Sequence, residues 1–242
     1  PVLPDRNVER RALFTTFEAG KKNAPEFPEA PRPGTGSQTF IFTNQPGLLE
    51  LASGLEYLSA YPHGCLEQRM SQVSPDLALG GFLKKLELDT RFTPLVQAST
   101  KRILDELKQH QDEQGFFSYW PGGSGDIALT AQGVEFMVAA KKAGISVDDA
   151  VLKRGTDALK RVLRTDFTGL WADYRYNQQT SALRALGATG ELDENYMVEL
   201  FNKRKSMDAV ALADLASAMS LRPNTFGTNL TALKSELWDS VV

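Results

Sequence analysis

The chain has 242 residues, 42% of them apolar and 24% charged, and its 27 basic against 30 acidic side chains leave a formal charge of −3. That balance is ordinary for a globular protein and supplies no overall field to attract nucleic acid or an anionic membrane surface. No apolar run approaches the ~20 residues of a membrane span, and no signal-peptide pattern opens the chain. One cysteine excludes an internal disulfide framework, and two histidines are too few for a regular Cys/His zinc cage.

Residues 1–22 carry Arg6, Arg10, Arg11, Lys21 and Lys22 among a few apolar residues. Pro25, Pro28, Pro31 and Pro33 follow. Proline at that density removes backbone donors and favours extended chain, so this stretch reads as a linker or draped arm. Ser37–Asn44 is rich in aromatic and β-branched residues and is the one strand candidate. A lone strand cannot satisfy its own backbone, so it belongs to a neighbouring β domain or to an edge.

From Pro46 onward the pattern is helical. Leu48, Leu51, Leu55 and Leu58 form one stripe at helical spacing. Thr93 reads as an N-cap with Pro94 at the first helical position, followed by Leu95, Ile103, Leu104 and Leu107. Asp126 caps a third segment whose inner face is Leu129, Gly133, Phe136, Met137 and Ala140. Ser146 with Asp149 resembles a capping box opening a helix through Leu152, Leu159 and Leu163. Further helices are expected at about 179–187, 193–204, 207–220 and 228–239. Short loops containing Gly or Asp make antiparallel neighbours, so the fold class expected is all-α, a string of helical hairpins. Small residues on the stripes (Gly133, Ala140, Gly155, Ala209, Ala213, Ala216) suit either close helix approach in concentric layers or ordinary bundle packing.

One segment carries chemistry: Tyr61-Pro62-His63-Gly64-Cys65-Leu66-Glu67-Gln68. If the chain turns helically after Gly64, Cys65 and Gln68 share a face. Attack of the thiolate on the Gln68 carboxamide would expel ammonia and leave an internal thioester, a stored acyl donor that needs shielding from water. Pro62 and Gly64 suit the tight entry turn. By itself Cys-x-x-Gln is common, and a lone cysteine in a helical protein is ordinarily a small buried hydrophobe.

The longer string Gly-Cys-Leu-Glu-Gln, preceded by Tyr-Pro, resembles the thioester motif of the alpha-2-macroglobulin and complement superfamily, and its bacterial alpha-2-macroglobulin branch in particular. Gln111–Gly123, with Phe116, Phe117, Trp120, Pro121 and Gly122, is similar to the Gly-Gly-Phe-x-x-Trp-Pro-Gly region of those proteins. Read locally, Phe117, Tyr119 and Trp120 are core packing and a turn. The resemblance covers Gln45 to the carboxyl end and implies an α/α toroid of antiparallel helices. It also implies a division into residues 1–45, the linker and strand from a preceding β-sandwich module, and residues 46–242, a helical thioester domain short of a complete toroid.

The function implied is that of a protease trap. Bait cleavage exposes the thioester, which couples covalently to lysine amines of the attacking protease. Carried over by position, Cys65 is the thiol and Gln68 the acyl group, with Glu67 and Gly64 as supporting residues of the motif and Tyr61 as an aromatic shield. Glu67 equally serves as a helix-start carboxylate favoured by the macrodipole, and Tyr61 equally serves as core. His63 is not required by the motif. The partners implied are target proteases and the other domains of the full-length protein. The location implied is the periplasm, with a lipid anchor to the inner membrane. Neither metal nor cofactor is expected. In ester-forming complement components a downstream histidine relays the acyl group, and the loosely matching stretch Trp171–Asn177 contains none.

Three other readings compete. One is a toroid enzyme such as a terpene cyclase or a glycan-processing enzyme, for which Gln111, Gly115 and Phe117 echo the cyclase Gln-x-x-x-Gly-x-Trp repeat and Asp148-Asp149 is the nearest acidic pair. The second is a cysteine hydrolase using Cys65 with His63 or His110 as base. The third is a non-covalent helical interaction domain.

Overall fold

The computed structural model describes residues 64–85, 89–164 and 172–241, with scattered positions before residue 45. The chain divides into two compact units, Pro1–Leu49 and Glu50–Val242. The expected strand at Ser37–Asn44, the leucine stripe Leu48–Leu58, Tyr61 and His63 lie outside the described residues, apart from Phe42 and Asn44.

Among the described residues of the second unit, eight α-helices follow one another: α1 (Leu66–Lys85), α2 (Asp89–His110), α3 (Ile127–Lys142), α4 (Asp149–Arg164), α5 (Ala172–Thr189), α6 (Glu194–Asn202), α7 (Ala209–Ser220) and α8 (Pro223–Val241). A 3-10 turn, Arg204–Ser206, joins α6 to α7. The fold is all-α, as the periodicity predicts. Extended backbone among these residues is limited to isolated bridges of Phe117 with Gln111 and with Asp126.

The helices form two layers. Each odd-numbered helix packs on the next odd one, α1 on α3, α3 on α5 and α5 on α7, while α2, α4 and α8 pack back on their hairpin partners. Helices joined by short loops run antiparallel, and this alternation of contacts is that of an α/α toroid. The sequence explains which helix goes where. α4 buries Val151, Ala158, Leu159, Val162 and Leu163 and turns charged residues to solvent, as suits an outer helix. α3 is apolar around most of its circumference and buries Thr130, Ala131 and Val134 besides the expected Leu129, Gly133, Phe136, Met137 and Ala140. A helix flanked on both sides and backed by a second layer has little surface left for water.

Two contiguous cores result. One joins Leu66, Met70, Ile103, Leu107, Phe117, Leu129 and Met137 across α1 to α3. The other runs through Leu159, Leu183, Leu186, Met197, Leu215, Met219 and Leu233 to α8.

Several local expectations are corrected. α2 starts at Asp89, ahead of Thr93, so Thr93 is not its N-cap and Pro94 lies inside the helix. Asp148 rather than Ser146 caps α4: its carboxylate accepts from Ala150 N–H at 2.9 Å and Val151 N–H at 3.3 Å. A carboxylate one residue before the helix outcompetes a hydroxyl two residues further out. α5 begins at Ala172, well before 179, because its first turns are polar and carry little apolar periodicity. α8 includes Pro223, but Phe226 has non-helical dihedrals (φ −114°, ψ 18°), and regular helix resumes close to the expected start at 228.

The small residues also divide. Gly133 makes room for the fully buried Phe117 ring, since a Cβ there would lie 2.6 Å from Phe117 Cδ2, whereas Gly155 lets α4 approach α3, since a Cβ there would lie 3.1 Å from Val134 Cγ2. Ala213 faces solvent, while Ala140 and Ala216 are buried. Gly133→Ala is expected to cost about 1–3 kcal/mol by overpacking this ring. A denaturation midpoint equal to that of the parent protein would show that the ring has room to move.

Candidate functional site

Gly64 and Cys65 form the non-helical lead into α1, and Cys65 occupies its N-cap position. Its carbonyl accepts the first helical bond, from Arg69 N–H at 3.1 Å. Three residues on, the Gln68 side chain folds back, and Oε1 accepts a hydrogen bond from Cys65 N–H at 3.2 Å. This is the returning half of a capping box, which satisfies a donor that every helix start otherwise leaves without a partner. It also holds the Gln68 carboxamide against residue 65. Both residues are half-buried.

The turn around them is tied down from outside. Leu66, only 1% exposed, anchors the first core, and its N–H donates to the Tyr119 carbonyl at 3.1 Å. Glu67 lies in the first turn, and Oε1 accepts from Ser71 Oγ at 3.0 Å. Arg69 pairs with Glu106 of α2, and this hydrogen bond holds the Glu106 carboxyl below its ordinary value. A side chain at position 64 would crowd the Arg69 stem at 2.9 Å, which favours glycine there.

The aromatic segment between α2 and α3 is a rigid loop. Ser118 N–H and Oγ both donate to the His110 carbonyl, at 2.8 and 2.9 Å, and Phe117 N–H donates to Thr130 Oγ1 at 2.8 Å. Asp126 caps α3 as expected, accepting from Leu129 N–H at 2.8 Å. Phe117 is core, but Tyr119 and Trp120 are 41% and 62% exposed, against the packing role expected of them. With Phe117 turned inward and Ser118 bound to the end of α2, the next two residues leave the core. The Tyr119 phenol is pushed above its ordinary value, chiefly by burial and then by Asp126, Glu67 and Cys65. The motif reading missed Tyr119 because its tie to Leu66 bridges two segments far apart in the chain.

Gln111 Nε2 donates to the carbonyls of Gly115 at 3.1 Å and Val151 at 3.0 Å, so the cyclase-like Gln-x-x-x-Gly spacing here ties a loop to α4. Asp148 of the acidic pair is a helix cap. His110 is buried, and its Nδ1 donates to the Ser118 carbonyl at 2.9 Å. Asn177, in the stretch matched to the relay histidine, donates from Nδ2 to Asp208 at 2.8 Å. Among the described residues no group of His, Cys, Asp and Glu could hold a metal ion, and no helix is long and apolar enough to cross a membrane.

No protein-family profile matches the chain. It is 33% identical over 118 residues to alpha-2-macroglobulin of Escherichia coli, covering 48% of this chain and 7% of that protein. It is 33% identical over 139 residues to alpha-2-macroglobulin of Xylella fastidiosa, covering 56% of this chain and 8% of that protein. The fold matches the native carboxyl-terminal part of the Escherichia coli protein with a TM-score of 0.66 at 24% identity, over 78% of this chain and 31% of the other. It matches Salmonella alpha-2-macroglobulin reacted with methylamine with a TM-score of 0.67 at 23% identity, over 78% of this chain and 13% of the other. The trypsin-activated Escherichia coli protein matches with a TM-score of 0.59 at 24% identity, over 72% of this chain and 13% of that one. The chain thus spans a small part of each relative, and its sequence and helical fold fit the alpha-2-macroglobulin superfamily.

Proposed function

We propose that this chain is the thioester domain of a bacterial protease trap, with Cys65 and Gln68 forming the reactive bond. The observation that carries the reading is the hydrogen bond from Cys65 N–H to Gln68 Oε1, 3.2 Å long, at the first turn of α1. Cys65 Sγ attacks the Gln68 carboxamide carbon, the C–N bond breaks, and the nitrogen leaves as ammonia carrying the thiol proton. Oε1 remains as the carbonyl oxygen of the thioester. Cys65 N–H and the positive end of the α1 dipole both face that oxygen, and they stabilise the negative charge it gains when a nucleophile adds. An amine then forms the amide, and the C–S bond breaks to return the thiol.

The named states of relatives support this reading: one protein was reacted with methylamine and another activated by trypsin. On the same reading the whole protein captures attacking proteases through lysine amines after bait cleavage. It is a single-use inhibitor rather than an enzyme. Residues 1–45 come from a preceding β module, and the full-length protein resides in the periplasm, tethered by lipid to the inner membrane. Tyr61 shields the bond from water. The stretch matched to the relay histidine, Trp171–Asn177, contains none, so direct attack replaces an imidazole relay, and amines outcompete hydroxyls.

The test is the mass of the unreacted protein, expected to be lower than the sequence mass by one ammonia. Offered methylamine and glycerol at equal concentration, it is expected to give the amide adduct and release the Cys65 thiol. A full sequence mass with a freely alkylated thiol from the outset would refute the bond. A dominant glycerol ester would refute direct amine attack.

A further inference from the structure

Cysteine is a poor helix N-cap. Ser, Thr, Asp and Asn are preferred because their side-chain oxygens bond the first turn's N–H groups. The turn holding Cys65 and Gln68 therefore needs support from elsewhere, and an unsupported helix end frays. Gln132 supplies such support from α3. Its Nε2 donates to Ser71 Oγ at 2.9 Å and reaches the Glu67 carbonyl at 3.5 Å. Ser71 Oγ passes the polarity on by donating to Glu67 Oε1 at 3.0 Å. The chain of donors runs one way, from the α3 amide through a hydroxyl to a carboxylate, and each bond polarises the next. It occupies the carboxylate of Glu67, which lies between Cys65 and Gln68 in the first turn, and ties α1 to its neighbour in the inner layer.

We propose that Gln132 is the positioning residue of the thioester turn, setting the geometry in which Cys65 Sγ meets the Gln68 carboxamide. This rests on the thioester reading above. Leu66 and Arg69 are held by other elements, the Tyr119 carbonyl and Glu106. Loss of Gln132 therefore loosens the turn without releasing the helix. Thioester formation depends steeply on the distance and angle of approach, whereas global stability hardly registers two partly exposed hydrogen bonds.

The experiment compares the fraction of chains with the ammonia mass deficit, and the rate at which that deficit is lost in buffer, among wild type, Gln132→Leu, Ser71→Ala and the double variant. The fraction is expected to fall about fivefold in Gln132→Leu and in Ser71→Ala, with no further fall in the double variant and far-ultraviolet dichroism unchanged. Gln132→Glu is the second variant should Gln132→Leu misfold. It keeps the shape of the side chain, cannot donate to Ser71, and is expected to lower the fraction similarly. Wild-type thioester content and hydrolysis rate in a folded Gln132 variant, or losses in the single variants that simply multiply in the double, would overturn the proposal alone. A wild type without the deficit would remove the thioester reading and this proposal with it.

Discussion

Gln68→Glu is expected to abolish methylamine incorporation completely while leaving the protein at least as stable as its parent. The two roles of Gln68 separate in this variant. As the third helical residue, glutamate accepts the Cys65 N–H bond as well as glutamine does, and its charge sits favourably at the helix N-terminus, adding about 0.3–1 kcal/mol. As an electrophile it fails, because a carboxylate does not expel oxide to a thiolate. Methylamine uptake by mass and the thermal midpoint of each variant give the two readouts. The parent is expected to show one amine adduct and Gln68→Glu none, with its midpoint equal or higher. Cys65→Ala should match it in reactivity. Adduct formation in Gln68→Glu would place the acyl group on another residue. A fall of several degrees in its midpoint would show that the returning bond to Cys65 N–H is not what the side chain supplies.

Arg184→Met is expected to lose stability in a strongly pH-dependent way. Arg184 on α5 lies between two carboxylates of the inner layer, donating from Nη1 to Glu135 of α3 at 2.7 Å and meeting Asp214 of α7 at 2.8 Å through Nε. One cation thus serves two partly buried anions. Burial pushes both carboxyls above their ordinary values, with Arg184 opposing it, and Asp214 adds to the rise at Glu135. Asp208 adds to the rise at Asp214.

A carboxyl whose pKa is higher folded than unfolded binds its proton more tightly in the folded state. Its contribution favours folding below the unfolded value and is lost as pH rises through the folded one. Without Arg184 both values rise further, and at neutral pH two carboxylates face each other unpaired. The expected cost at pH 7 is about 2 kcal/mol, below the roughly 3–5 kcal/mol of a fully buried pair, because the Arg184 side chain is 34% exposed. The cost should shrink as pH falls and the carboxyls protonate. Urea unfolding at pH 7 and in mild acid measures both. An equal loss at the two pH values would show that Arg184 acts through the packing of its stem. Asp214→Asn, which leaves one anion for one cation, is expected to be neutral or stabilising at pH 7.

What could be read in the chain, and what could not, divides by distance along the sequence. The all-α class, the helix starts at Asp126 and near Asp148, and the placing of Cys65 ahead of a helix follow from caps and apolar spacing. Those are interactions among residues within about four positions of one another. The thioester motif is local in the same sense. Errors arose where a neighbour decided. Apolar spacing could not find the start of α5, because its first turns are polar. Tyr119 and Trp120 read as core by composition, yet the Ser118 bonds to the end of α2 turn them outward. Gly133 suited close helix approach and ordinary packing equally, and only the folded structure shows that the Phe117 ring fills the space. The contacts that hold the reactive turn lay furthest from view. Gln132 and Ser71 are 61 residues apart and meet only because α1 and α3 stack side by side in one layer. An amide on a mostly apolar helix was the only trace of that contact in the sequence, and stacking the helices gave it a partner.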